Sequence, residues 1–403
     1  MTGMREIERD IDSWIDGHLE EYGELSDWMA ANPELGGEER KASSRIAGML
    51  DEAGFKVTYP YLGIPTAFLG AFGGGGPVVD FLVEYDALPE IGHACGHNLH
   101  GAMSVLAGTA LAKNLGRGGA EIRIVGTPAE ETDGAKVAMA DAGIFDDVDI
   151  ALMFHINAGY TSPAYRALAV CCYEFEFKGK AAHASSSPWE GRNALNGVQL
   201  FFHALDMLRQ HVRSGLQIHG IVKNGGAAPN IVPESASALF YFRAPWKEYL
   251  AGEMEKIFNC ARGAALATGT EASWQAREAS FDNMLPNEAA EGEMGRILGE
   301  LGVPVKINLE PDGSSDVGNV SWRCPTLQGE FDVADGRKIV HHTREFAQIV
   351  SGGEQTRRCL AKGAKALARM GLRVIRDEAL RSRIRDDFRE AREREKQRGE
   401  LPC

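Results

Sequence analysis

The stretch PVVDFLVEYDALPEIGHACGHN, residues 77–98, decides how the chain is read. Its first part, Pro77–Glu84, is a short apolar run of the kind that forms a strand. The rest carries Glu84, Asp86, Cys95 and His97 in a loop that follows that strand. In open α/β sheets, ligands gather outside the carboxyl ends of strands. Cys95, His97 and the nearby carboxylates form a mixed S/N/O donor set that suits a borderline-soft divalent metal. Gly92 and Gly96 let the backbone fold tightly around an ion. A buried structural cysteine with loop histidines is the plainer reading, and a Cys-x-His pair alone does not separate the two.

Outward from this stretch, strand and helix patterns alternate. Residues 5–57 read as two helices broken at Asn32–Gly37, followed by a strand at Lys56–Tyr61. Gly73–Gly76 reads as a hairpin turn. A helix is predicted at Met103–Leu115, a strand at Ala120–Gly126, a helix at Ala135–Ala142 and a strand at Asp149–His155. This order predicts an α/β domain with a mixed, largely parallel sheet flanked by helices. The character changes near Ala167. Strands at Leu168–Lys178, Gln217–Val222, Ala236–Arg243 and Glu271–Arg277, with helices at Arg192–Arg213 and Tyr249–Ala267, form an α+β unit. The expected organisation is one α/β domain built from residues 1–167 and 281–403, interrupted by a small domain at 168–280. The tail beyond Arg369 reads as a charged, solvated helix.

The 403 residues include 57 Asp and Glu against 43 Lys and Arg, a formal net charge of −14. That balance argues against nucleic-acid and membrane-surface partners, which favour basic patches. The N-terminus lacks the basic-then-apolar order of a secretory signal, and no stretch approaches the ~18 apolar residues of a membrane span. Seven cysteines, odd in number and mostly scattered, fit a reducing cytoplasm better than a disulfide framework.

Three further segments place polar residues at ends of apolar patterns. Glu130-Glu131 follows the strand Ala120–Gly126. Adjacent carboxylates there are costly unless a cation neutralises one. His155 ends its own apolar strand. His341-His342 precede the helical pattern Phe346–Met370. Each has a bland reading alone: an acidic turn, a satisfied core histidine, a loop pair. Jointly they outline a metal site assembled from distant segments.

At this point the chain resembles the aminoacylase/carboxypeptidase family of metallopeptidases, in its amidohydrolase branch. The matching motifs are EYDALPEIGHACGHN, PAEE, MFH, KGKAAHASSSPWEGRNAL, KNGGAAPNIVP, YFRAP, GSSDVGNVSW and HHTREF, in family order. Asn98 resembles the aminobenzoyl-glutamate hydrolases and β-alanyl-lysine dipeptidases in particular. The resemblance implies two divalent ions per subunit, Zn²⁺ or Mn²⁺ first, with Co²⁺ or Ni²⁺ as further options. It implies Cys95, His97, Glu131, His155 and His342 as ligands, with the alignment selecting His342 over His341. It implies Glu130 as the general base and Asp86 as the carboxylate that orients a ligand. Glu84 and Asp316 are left without a role, and His93 and His100 read as supporting residues.

The inserted domain resembles the family's lid and dimerisation domain, which implies a homodimer through residues 168–280. His183 matches a histidine that reaches a neighbouring subunit's site and stabilises the oxyanion. Asn230 and Arg243 match substrate contacts, suited to the substrate's free carboxylate, and Arg192 reads equally as a second contact or as a helix-surface arginine. Trp189 is a further candidate for the pocket lining. The expected activity is metal-dependent hydrolysis of the amide in an N-acyl or N-aroyl amino acid or small dipeptide, aminobenzoyl-glutamate-like or β-alanyl-lysine-like. Two other readings compete with it. One is a catalytically silent metal-binding or regulatory homologue, which predicts loss of the base or ligands. The other is a thiol enzyme using Cys95, although nothing near it resembles a nucleophile elbow.

Overall fold

The computed structural model describes residues 2–311 and 313–399. Its strands are β1 (Lys56–Thr58), β2 (Phe68–Gly74), β3 (Val78–Val83), β4 (Ala120–Gly126), β5 (Ile150–Asn157), β6 (Ala169–Lys178), β7 (Gln217–Asn224), β8 (Ser235–Ala244), β9 (Glu271–Ala276) and β10 (Thr326–Asp332). Its helices are α1 (Thr2–Ala31), α2 (Arg40–Glu52), α3 (His97–Leu115), α4 (Ala135–Asp141), α5 (Ala194–Leu208), α6 (Lys247–Thr268), α7 (Glu288–Glu300), α8 (Val317–Ser321), α9 (Arg344–Ile349), α10 (Glu354–Arg376) and α11 (Glu378–Gly399). The chain divides into two compact units. One is built from residues up to Arg166 and from Met284–Arg394, the other from Ala167–Asn283 and the end of α11 from Glu395. Among the described residues, no helix is long and apolar enough to cross a membrane.

The first unit holds a six-stranded sheet in the order β1-β2-β4-β3-β5-β10. β4, β3, β5 and β10 run parallel, and β2 and β1 are antiparallel additions at one edge. Every residue of β3 is buried, as a central parallel strand covered on both faces requires. The carboxyl ends of the adjacent strands β4, β3 and β5 therefore open side by side, and each carries its polar residues there. This is the arrangement that positions the site.

Two expectations are corrected here. Gly73–Gly76 is not a hairpin turn: β2 and β3 do not pair, because β4 lies between them. The glycines are required by close approach instead, since a Cβ on Gly76 would lie 2.1 Å from the Gly119 carbonyl oxygen. β2 itself, which pairs along its length with β4, did not stand out in the sequence. The second correction concerns α3, which begins at His97, six residues before the predicted start. His97, Asn98 and His100 are fully buried polar residues that break the apolar pattern of its first turn. Gly96 starts the helix at φ 84°, where a Cβ would also meet Ile156 at 2.9 Å.

α3 is buried along almost its whole length between the sheet and the helices α1 and α10. α1 and α10 are also joined by an antiparallel ladder of ion pairs, Glu8–Arg373, Asp12–Arg369, Asp16–Lys365 and Glu20–Arg357, stepping by four residues on α1.

Asp80, in the middle of β3, is 1% exposed, and its Oδ1 has no hydrogen-bond partner among the described residues. Burial pushes its carboxyl up to about 8, against the pull of Arg123. An acid whose folded pKa is raised contributes stability fully below its ordinary value of 3.8, and that contribution is lost as pH rises toward about 8. Asp80→Asn is thus expected to raise the midpoint of thermal unfolding at pH 8, with the advantage shrinking toward pH 4. A variant that melts lower than wild type at pH 8 would show that the carboxylate is well paired.

The second unit is a four-stranded antiparallel sheet, β7-β8-β6-β9. α5 and α6 supply its hydrophobic cover, around Phe175, Phe177, Phe201, Phe240, Phe242 and Ile257. β7 is an edge strand with Ile221 63% and Val222 47% exposed, an unusually apolar edge for an isolated sheet.

Candidate active site

The carboxyl end of β3 delivers Glu84 and Asp86, and Asp86 organises what surrounds it. Its Oδ1 lies 2.7 Å from His97 Nδ1, and its Oδ2 accepts the Glu131 backbone N–H at 2.9 Å. One buried carboxylate therefore sets both the ring of His97 and the turn after β4. With Nδ1 committed to Asp86, His97 presents Nε2, which has no hydrogen-bond partner among the described residues. Burial opposes a charge on His97, but Asp86 outweighs it and holds the ring's pKa well above the usual range.

The turn after β4 carries Glu130 and Glu131. Ala129 takes φ 60°, which is costly for a residue with a side chain. It is held there by Glu39, whose Oε1 accepts the Ala129 N–H at 2.7 Å. Both glutamates point at His97: Glu130 Oε2 and Glu131 Oε1 each lie 3.9 Å from its Nε2. Burial, then the charges of Glu84, Glu131 and Asp316, raise the Glu130 carboxyl well above its ordinary range.

His155 lies in β5 with its Nε2 3.4 Å from Cys95 Sγ, while its Nδ1 meets the Ile156 carbonyl at 2.9 Å. The carbonyl can only accept, so Nδ1 carries the proton and Nε2 keeps its lone pair for the site. Burial and His341 push His155 down to about 3, so the ring is neutral. Burial and Glu131 raise the Cys95 thiol well above its ordinary value, the reverse of an activated thiol nucleophile. Of the adjacent histidines, His342 brings its Nε2 to 3.4 Å from Glu131 Oε1, and His341 turns its Nε2 to the Ile156 carbonyl at 2.9 Å. His342 adopts φ 59°, and its backbone N–H is tied to the Ala94 carbonyl.

The first unit thus brings together all seven of its sequence-predicted residues: Asp86, Cys95, His97, Glu130, Glu131, His155 and His342. Among the described residues two compact donor groups emerge, Cys95/His97/Glu131 and Glu84/His97/His100/His155. The donor chemistry fits a divalent ion. Neighbouring donors on a tetrahedral ion with bonds of about 2.0–2.1 Å stand roughly 3.4 Å apart. The His342–Glu131 separation is 3.4 Å, and Cys95–His155, for which a longer Zn–S bond gives about 3.6 Å, is also 3.4 Å. Orphaned atoms on His97 Nε2 and Glu131 Oε1 point the same way.

One site residue was missed in the sequence. Lys136 is fully buried, with its Nζ 2.7 Å from Glu84 Oε1 and 2.6 Å from Asp316 Oδ1. Burial disfavours its charge, but Asp316 and Glu84 hold it protonated. The available signal was a single lysine in the otherwise apolar run Ala135-Lys-Val-Ala-Met-Ala140.

In the second unit, His183 Nδ1 lies 3.3 Å from the Ser185 backbone N and 3.2 Å from that of Ser186. Those N–H groups donate to it, so the proton sits on Nε2, where it can be donated outward. His183 is bridged to Ile231, and the Ala184 N–H donates to the Asn230 carbonyl. Arg192 pairs with Lys180, just beyond the end of β6. Arg243 pairs with Val170, at the other end of β6. Val170 and Lys178 are eight residues apart on that strand, roughly 26 Å. Arg192 and Arg243 therefore do not converge on one group within a subunit. Trp189 stands 77% exposed.

Residues 169–268, most of this second unit, match the family model described as a peptidase dimerisation domain. The chain is 35% identical over 396 residues to the mouse (Mus musculus) Xaa-Arg dipeptidase, covering 93% of this chain and 90% of that protein. The chain belongs to the M20 peptidase family. It is also 36% identical over 326 residues to one of the subunits of the p-aminobenzoyl-glutamate hydrolase of Escherichia coli (strain K12), covering 75% of this chain and 66% of that one. Among solved structures, a dinuclear metal-binding M20 peptidase from Bacillus subtilis superposes with a TM-score of 0.61 at 18% identity, over 87% of this chain and 98% of that one. That likeness shows the shared fold. As an M20 peptidase the chain is an enzyme acting on amide or peptide bonds, and the silent-homologue reading falls away.

Proposed function

We propose that this M20 peptidase hydrolyses the amide joining an acyl, aroyl or aminoacyl group to a free amino acid, with two divalent ions held at the ends of β3, β4 and β5. Cys95, His97, Glu131, His155 and His342 would hold the ions. The observation that carries the reading is the site's charge. Glu84, Asp86, Glu130, Glu131 and Asp316 gather around a single ammonium, Lys136, an excess of acidic groups that divalent ions would relieve. Bound ions would supply Lewis-acid polarisation of a carbonyl and a lowered pKa for water. Glu130 takes the proton of the attacking water and passes it to the leaving nitrogen, and Asp86 holds His97 and the Glu131 turn in place throughout.

The relatives named for Xaa-Arg and p-aminobenzoyl-glutamate substrates support a substrate ending in a free amino acid. Arg243 is the residue proposed to bind its carboxylate, with Asn230 and Arg192 as further contacts. A dipeptide spans only about 7 Å, so one molecule cannot reach both ends of β6 in one copy. This supports a homodimer through residues 168–280 in which His183 serves the partner's site. The exposed apolar edge β7 supports the same pairing.

The test is amine release from a panel of β-alanyl and other dipeptides, N-acyl amino acids and aminobenzoyl-glutamate, using Zn²⁺- or Mn²⁺-loaded protein. No turnover of any member at full metal loading would sink the proposal. His183→Ala is expected to keep its metal and lose about 10²–10³ in kcat, the usual effect of removing one oxyanion donor. Full activity in that variant would rule out the shared site.

A further inference from the structure

Glu84 faces two competing partners. Its Oε2 lies 3.4 Å from His100 Nε2 and 3.6 Å from His97 Nε2. With His155 these residues form a donor cluster compact enough to hold an ion. Neither ring nitrogen of His100 has a hydrogen-bond partner among the described residues. On the other side, Glu84 Oε1 lies 2.7 Å from the Lys136 ammonium.

That ammonium cannot swing away. Asp316 grips Lys136 twice, through Nζ at 2.6 Å and through the backbone N–H at 3.2 Å. Lys136 is the second residue of α4, so the grip also fixes the helix that follows the Glu130–Glu131 turn. All three side chains are at most 1% exposed, so water does not screen them.

We infer that Lys136 is a built-in counter-ion that withholds Glu84 from the metal centre, leaving Glu84 as a fixed charge and not a ligand. This rests on the metal-site reading above. A divalent ion on Glu84 Oε2 would share one carboxylate with an ammonium, in a region where like charges repel strongly. Ions are thereby directed toward Cys95 and Glu131. Lys136 is a positioning residue in this scheme. Without it, Glu84, His97, His100 and His155 would offer a fourfold N/O site that holds an ion more tightly.

Metal retention, not turnover, decides the matter. Purified full-length protein is loaded with Zn²⁺, its metal content is measured by mass spectrometry, and the rate of Zn²⁺ loss to EDTA is followed. Glu84→Gln is expected to carry as much Zn²⁺ per subunit as wild type. Loss of an ion in that variant makes Glu84 a ligand and overturns the inference. Lys136→Met is expected to lose Zn²⁺ measurably more slowly than wild type, because it frees Glu84 to bind. Unchanged or faster loss overturns the inference. Lys136→Met combined with Glu84→Gln removes the freed carboxylate, so the slow loss is expected to disappear, and its persistence overturns the inference as well. Should Lys136→Met fail to fold, Glu84→Gln still decides. Wild-type protein that holds no Zn²⁺ sinks the metal-site reading itself, a result separable from loss of an ion in Glu84→Gln alone.

Discussion

Glu130→Gln is expected to lower kcat by about 10²–10⁴-fold, the range for removing a general acid–base group, with metal content unchanged. The substitution keeps size and hydrogen bonding, so the turn held by Glu39 and Asp86 should stay in place. What it removes is the ability to accept a proton. The surroundings of Glu130 are built for that ability: burial and the charges of Glu84, Glu131 and Asp316 all raise its affinity for a proton. A carboxylate that takes a proton from water and then gives it to nitrogen needs that poise. Activity against pH should lose its acid limb in the variant. If Glu130→Gln instead lost metal, Glu130 would be a ligand, and the base would have to be sought elsewhere.

Chelation is expected to abolish amine release and to lower the thermal midpoint, with both recovered on adding back Zn²⁺ or Mn²⁺. Stripped of ions, the site holds several carboxylates, most of them deeply buried, around one ammonium. That is an unfavourable concentration of like charge. A ligand present at a thousand times its Kd stabilises the folded state by about 4 kcal/mol. For a protein of this size that is a shift of several degrees, readable by calorimetry with and without EDTA. Identical melts under the two conditions would mean that no ion belongs between Cys95, His97 and Glu131.

Much of the molecule is legible in the sequence alone. Short apolar runs alternating with helical patterns announce the parallel sheet, and eight ordered motifs announce the family. The misses share a physical origin. The polar opening of α3 escapes because His97, Asn98 and His100 are buried by the site and not by an apolar face. The Gly73–Gly76 link misleads because β4, some forty residues later, inserts between its two strands. Arg192 and Arg243 look like one pair of substrate contacts until the register of β6 places them at opposite ends.

The segment 77–98 shows where the division lies. Its residue types determined that a strand would end in a loop rich in metal-type donors, because apolar period and donor chemistry are local properties. Which donor does what was decided by tertiary structure. Asp86 orients His97 because Glu131 arrives from β4 to share it. Glu84 carries Lys136 because Asp316, 180 residues further along than that lysine, closes over the same ammonium. Buried charge is settled by whichever partners the fold brings within about 3 Å, and no local pattern records a partner so distant in sequence.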